Sequence, residues 1–165
     1  MTTDNVRLAS GDDTQALSFI LLKMMSERGL TPPVSGDNLT TRLAQDGPGG
    51  NGKFDCLIAF HRMRPSGLLM YSQAYDLCAL ASYAQVHHLY VADQAQGNGL
   101  KNDMLVFLSQ LALEEGWSHI DWLAERSDLL SVAYFQKEME LECSEVGFRM
   151  GHDILTKLAH TPKAA

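Results

Sequence analysis

The residues best placed to do chemistry are Gly97 and Gly99, which lie between a strand-like run and a helix-like run. Val86-His-His-Leu-Tyr-Val91 is rich in β-branched and aromatic side chains and predicts a strand. From Asn98 onward Leu100, Met104, Leu105, Leu108, Leu111 and Ala112 recur at helical spacing. The two glycines sit where the backbone must turn tightly and leave its N–H groups uncovered. A helix start adds N–H groups without intrahelical acceptors and the positive end of the helix dipole. Such a junction suits a phosphate or pyrophosphate, so a phosphorylated ligand is expected there.

The strand leading into the turn carries His87 and His88. An unperturbed imidazole titrates near ~6.5 and can take up a proton at neutral pH, directly or through water. Strict alternation sends the two rings to opposite faces, so one at most would meet a substrate. Both also read as ordinary strand histidines. His61, His119 and His152 complete no metal-ligand spacing with them, so no metal is expected.

The elements that must position these groups follow from the pattern of apolar residues. Val6-Arg-Leu-Ala9 predicts a short strand. Asp12 or Asp13 then caps a helix carrying Ala16, Leu17, Ile20, Leu21, Met24 and Met25, which ends near Gly29. Thr31-Pro-Pro-Val-Ser35 breaks the chain, and Ser35 or Asp37 opens a shorter helix through Leu43. Phe54 to Phe60 and Gly67 to Tyr75 predict strands joined by a polar turn from His61 to Ser66. After the strand from Val86 and the long helix to Gly116, His119 to Ala124 predicts another strand and Asp128 to Met139 a helix. Gly147 to Leu158 is expected to supply the last strand or strands. An antiparallel meander feeding a parallel βαβ unit implies an α/β fold: a central mixed β-sheet with helices on both faces.

At 165 residues the chain is expected to form a single domain, 1–165, with one sizeable core. Hydrophobic residues at 45% and charged residues at 20% match an ordinary globular protein. A net charge of -7 argues against a nucleic-acid partner and is compatible with a cationic or amine-bearing substrate. Cys56, Cys78 and Cys143 form no CxxC pair and suggest neither a zinc site nor a disulfide framework. The first residues lack the basic and apolar regions of a signal peptide, and no apolar run is long enough to span a bilayer. No membrane association is expected, and the expected location is cytoplasmic.

Gly47-Pro-Gly-Gly-Asn-Gly52 spells GxGxxG but is expected to be a flexible surface loop. A dinucleotide fingerprint needs a strand before it and a helix after it, and here the order is reversed. The second glycine site has the right order. Gln96, Gly97, Asn98, Gly99, Leu100 and Lys101 resemble the acetyl-CoA signature of the GCN5-related N-acetyltransferase (GNAT) family, in which Arg or Gln precedes Gly-x-Gly-x-Gly/Ala. Lys101 departs from the signature, standing where the family has Gly or Ala. Leu89-Tyr-Val91 is similar to the family's usual Leu-Tyr-Val, and the order of elements resembles the GNAT fold over nearly the whole chain. Gly67 to Asp76 and Leu123-Ala-Glu125 look most like the diamine, spermidine/spermine-type members.

The resemblance implies direct transfer of acetyl from acetyl-CoA, as co-substrate, to a primary amine of a small molecule: a diamine, polyamine or amino acid. Backbone N–H groups of Gly97, Asn98, Gly99, Leu100 and Lys101 would hold the pyrophosphate, after Gln96. The main chain of Tyr90 and Val91 would meet the pantetheine arm. Diamine acetyltransferases carry a carboxylate pair where this chain has His87 and His88, so one of these would serve as base. Tyr134 would be the general acid, although a count from Lys137 puts Phe135 there instead. Tyr75, Asp76 and Glu125 would line the amine pocket, and a homodimer is implied. A second reading is a CoA-binding or regulatory module on the same fold with reduced catalysis. A third is a nucleotide-binding α/β protein with Glu125 near the ribose.

Overall fold

Strand β2 (Asp55–His61) buries Cys56, Leu57, Ile58 and Ala59 in succession, so it must be covered on both faces. The computed structural model describes residues 5–123, 133, 136, 137 and 150–159. The chain divides into two units, Met1–Leu123 and Ala124–Ala165. In the first, β1 (Val6–Leu8) leads through a 3-10 turn (Gly11–Asp13) to α1 (Thr14–Glu27) and α2 (Gly36–Asp46). Then come β2, β3 (Arg64–Asp76), β4 (Ala81–Val91), a second 3-10 turn (Asp93–Ala95), α3 (Leu100–Glu114) and β5 (Ile120–Trp122). Among the described residues these strands form one sheet in the order β1-β2-β3-β4-β5. The first four are antiparallel neighbours, and β5 runs parallel to β4 across the α3 connection. The expected mixed sheet with helices on both faces is thus present.

Alternation along the strands feeds two cores. On one face Leu57, Ala59, Leu69, Tyr71 and Val86 pack with Leu100, Met104 and Leu108 of α3 and with Trp117. On the other, Cys56, Ile58, Leu68 and Tyr90 meet Leu17, Ile20 and Met24 of α1. Gly67 sets how closely α3 approaches. A Cβ there would lie 2.9 Å from the Ala59 Cβ and 3.0 Å from the Met104 Cε. Burial in the α1 core pushes the Cys56 thiol up to about 12, consistent with an inert packing residue.

A half-buried ion pair ties β1 to the start of α1. Arg7 donates to both carboxylate oxygens of Asp13 at 2.7 Å, and Asp13 also accepts from the Ser10 N–H at 2.8 Å. Asp13 therefore opens the helix by fixing the chain before it. The Arg7 guanidinium, with Ser10, holds the Asp13 carboxyl at about 2.

Several expectations need correction. Strand β4 begins at Ala81 rather than Val86, because Ala81 to Gln85 complete a long hairpin with Ser72 to Asp76 despite weak strand propensity. The glycine-rich loop after α2 is packed rather than free: Gly47 is buried, and a Cβ on Gly50 would fall 2.3 Å from the Ala44 carbonyl oxygen. In the second unit, residues His152–Ala159 form a helix, α4, where a final strand was expected. In the sequence, Ile154, Leu155 and Leu158 are spaced one and three apart, which is a helical stripe and no alternation. The predicted helix from Asp128 to Met139 falls almost wholly outside the described residues.

Two measurements test this account of the fold. Because the Asp13 carboxyl is held low, its contribution is fully present above about pH 4 and disappears as pH falls toward 2. Asp13→Asn should cost about 1–2 kcal/mol in urea unfolding at pH 7 and almost nothing at pH 2. The β2–β3 hairpin turns through Arg62 and Met63, both at positive φ (49° and 64°), and Met63 is 92% exposed. Replacing the pair by Asn-Gly should raise stability by about 0.5–1 kcal/mol, read as a higher urea midpoint at unchanged slope.

Candidate functional site

The site begins with a misregister in the β3–β4 ladder. Leu69 pairs with Leu89 and Met70 with His88, but Tyr71 pairs with Val86, leaving His87 as an extra residue in β4. This β-bulge reverses the alternation, so Val86 and Leu89, three residues apart, both face the α3 core. It also overturns the expectation that the two histidines point to opposite faces. Ser72 follows the inward Tyr71 and so lies on the α1 face, where its Oγ is 2.8 Å from His87 Nε2. His88 stands opposite Met70, which packs into the α1 core. Both rings are therefore on the α1 side, and each is half-buried.

Beyond the bulge, β4 delivers the chain to the turn. The Tyr90 side chain enters the α1 core and its hydroxyl donates to Glu27 Oε2 at 2.5 Å. Burial, with the neighbouring Glu27 carboxylate, raises the Tyr90 phenol well above its ordinary range, so it stays a protonated donor. Ala92 makes the last sheet contact, its N–H reaching the Ser66 carbonyl at 2.9 Å. The 3-10 turn follows, closed by Ala95 N–H on the Ala92 carbonyl at 2.8 Å. Two side chains then fold back on this segment. Gln96 Nε2 donates to Asp93 Oδ1 at 2.9 Å, and Asn98 Nδ2 donates to the Ala95 carbonyl at 3.2 Å.

Gly97 and Gly99 take φ of 76° and 79°, a region that side chains resist. A Cβ on either would meet nothing within 4 Å. The glycines are thus required by backbone conformation, and the surface above them is open. Gly99 also caps α3, whose backbone ladder opens with Asp103 N–H on the Gly99 carbonyl at 3.0 Å. The buried Leu100 pins the first turn to the sheet, while Lys101 is half-exposed at the second helical position. A bare backbone ahead of a helix start fits a pyrophosphate: its donors are N–H groups and its wall is open.

Of the residues singled out in the sequence, Tyr90, Val91, Gln96, Gly97, Asn98, Gly99, Leu100 and Lys101 form one continuous strand-turn-helix unit, with His87 and His88 just upstream. Tyr75 and Asp76 are not brought to it. They pair with Ser82 and Ala81 at the opposite end of β4, roughly 30 Å along the strand from Val91. The Asp76 carboxylate there closes the hairpin turn, accepting from the N–H groups of Cys78 (2.7 Å) and Ala79 (3.2 Å). Glu125, Tyr134 and Phe135 lie outside the described residues. Among the described residues no group of His, Cys, Asp and Glu side chains is arranged to hold a metal ion. No helix among them is long and apolar enough to cross a membrane.

Sequence reasoning missed Ser72 and Glu27, whose roles depend on cross-strand and helix–sheet contacts. The bulge did leave a trace: Val86, Leu89 and Val91 break the two-residue period.

No family model matches the chain. Solved structures do match it in three dimensions. An integron cassette protein from the mobile metagenome of V. cholerae aligns over 98% of this chain and 100% of its own, with a TM-score of 0.82 and 17% identity. The ribosomal-protein-alanine N-acetyltransferase of Brucella melitensis biovar Abortus 2308 gives a TM-score of 0.74 at 17% identity, covering 89% of this chain and 99% of that one. An aminoglycoside acetyltransferase from an uncultured soil metagenomic sample gives 0.72 at 13% identity over 88% of this chain and 94% of that one. The fold is therefore one that N-acetyltransferases use.

Since Gly99 meets open space, its replacement isolates backbone strain from steric clash. Gly99→Ala should lower unfolding free energy by about 1–2 kcal/mol, whereas D-alanine introduced at the same position by chemical synthesis should restore it.

Proposed function

We propose that the chain is an acetyl-CoA-dependent N-acetyltransferase whose acceptor is the primary amine of a small molecule: a diamine, a polyamine or an amino acid. One observation carries this reading, the succession along a single strand of a bulge at His87 and a bare glycine turn at a helix start. Acetyl-CoA, when bound, supplies the activated thioester. The N–H groups of Gly97, Asn98, Gly99, Leu100 and Lys101 hold its pyrophosphate, and Gln96 fixes the turn through Asp93. The main chain of Tyr90 and Val91 orients the pantetheine arm. A main-chain N–H near Val91 stabilises negative charge on the thioester oxygen, a contribution typically of roughly 3 kcal/mol to the barrier.

His87 removes the proton from the acceptor ammonium. In the tautomer whose Nε2–H donates to the Ser72 hydroxyl, the position open to that proton is Nδ1. Tyr134, assigned by family resemblance, returns a proton to the departing thiolate; a phenol near ~10 is matched in basicity to a thiolate. The surplus of acidic over basic residues favours approach of a cationic acceptor. Fold neighbours named for a ribosomal-protein alanine and for aminoglycosides support amine acetylation as the reaction class.

The test is calorimetric titration with acetyl-CoA, followed by thiol release across a panel of amines. Saturable binding and acceptor-dependent thiol release are expected. His87→Ala should lower kcat about 100-fold while leaving acetyl-CoA affinity within twofold. No heat and no thermal shift at saturating acetyl-CoA would overturn the reading, because a ligand selective for the folded state must stabilise it. Binding without thiol release on any amine would instead assign a CoA-binding module.

A further inference from the structure

Glu27 ends α1 on the sheet face away from α3, and its side chain is only 20% exposed. One carboxylate oxygen takes the Tyr90 hydroxyl at 2.5 Å, and the other pairs with Lys23 Nζ at 3.1 Å. Burial acts against its charge, but the Tyr90 hydroxyl and Lys23, with a smaller part from the Asp93 N–H, hold the Glu27 carboxyl below its ordinary range. Asp93 in turn receives Gln96 Nε2 at 2.9 Å. A polar line thus runs from Lys23 through Glu27 to Tyr90 and Asp93, and on to Gln96.

Leu17, Ile20 and Met24 already fasten α1 to the sheet. A half-buried carboxylate adds little to such packing and carries a desolvation cost. What it does add is direction at the point where β4 leaves the sheet. We propose that Glu27 is a positioning residue for the cofactor site. It fixes the main chain from Tyr90 to Asp93, so that the glycine turn is preset for a CoA pyrophosphate. This rests on the acetyl-CoA reading for the identity of the ligand, but the ordering of the turn is a property of the free protein.

The experiment compares Glu27→Ala, Glu27→Gln and Tyr90→Phe with the unmodified chain. The measurements are CoA affinity by calorimetry, thermal midpoint, and amide hydrogen exchange of Ala92, Ala95 and Gln96, whose N–H groups are hydrogen-bonded, in the ligand-free protein. Glu27→Ala should weaken CoA binding about 10-fold, or ~1.4 kcal/mol, and speed exchange of the hydrogen-bonded Ala92, Ala95 and Gln96 amides about fivefold or more. Glu27→Gln, which keeps an acceptor for the Tyr90 hydroxyl, should recover most of both. A lowered thermal midpoint with unchanged affinity and exchange would overturn the proposal and leave Glu27 a packing residue. Should Glu27→Ala fail to fold, Tyr90→Phe removes only the hydroxyl and decides the same question. Absence of CoA binding by the unmodified chain would overturn the acetyl-CoA reading, while exchange in the free protein still decides the clamp.

Discussion

The inserted residue at His87 governs the site because a strand with strict alternation cannot serve both halves of β4. Ala84 and Val86 must face α3 to close the core beside β5, and Leu89 and Val91 must face it again near the helix start. An odd offset between the two halves requires one residue outside the ladder. Placing that residue at the histidine pair turns both rings toward α1 and bends the strand there. Among the described residues the ladder between β4 and β5 ends at Val86 and Trp122, one residue before the bulge. The packing requirement and the position of the polar groups are thus consequences of one defect.

The glycine turn depends on how firmly α3 is held. Met104 sits directly against Gly67, and Leu100, Leu108 and Ala112 continue the buried stripe. Each fully buried side chain of this kind contributes about 1.5–3 kcal/mol relative to exposure, so the helix start is fixed by core packing and not by its cap. Gly99 caps without any side-chain hydrogen bond. A cap lacking a side chain leaves the first-turn N–H groups exposed to a ligand, whereas Ser or Asp there would occupy one of them. The order of causes therefore runs from core to helix to open turn.

This division explains what the sequence disclosed. The apolar stripes of α1 and α3 and the runs in β2 and β3 are strong periodic signals, and the architecture followed from them. Gly97 and Gly99 were legible because few other residues tolerate their backbone. The extent of β4 was not, since Ala81 to Gln85 owe their strand state to pairing with Ser72 to Asp76. Nor could Glu27 be read: its partner Tyr90 is 63 residues away, and an i to i+4 spacing from Lys23 is common on any solvated helix face. Tyr75 and Asp76 looked like site residues because they end a strand that reaches the site at its other end. A one-dimensional reading places residues on a strand without saying which end matters.

An acidic chain that binds a polyanion must do so by short-range forces. With a net charge of -7, the long-range field opposes the approach of a pyrophosphate. At physiological ionic strength that field is screened within about 8 Å, and contact interactions decide the outcome. Backbone N–H dipoles suit this setting, because they act only at contact and leave the overall charge unchanged. A cradle made of lysines would attract the anion from farther away but would reduce the acidity that favours the proposed cationic acceptor. In the proposed function, an anion site built from glycine N–H groups and a helix start would let one surface serve two ligands of opposite charge. Lys101 occupies the second helical position and is half-exposed.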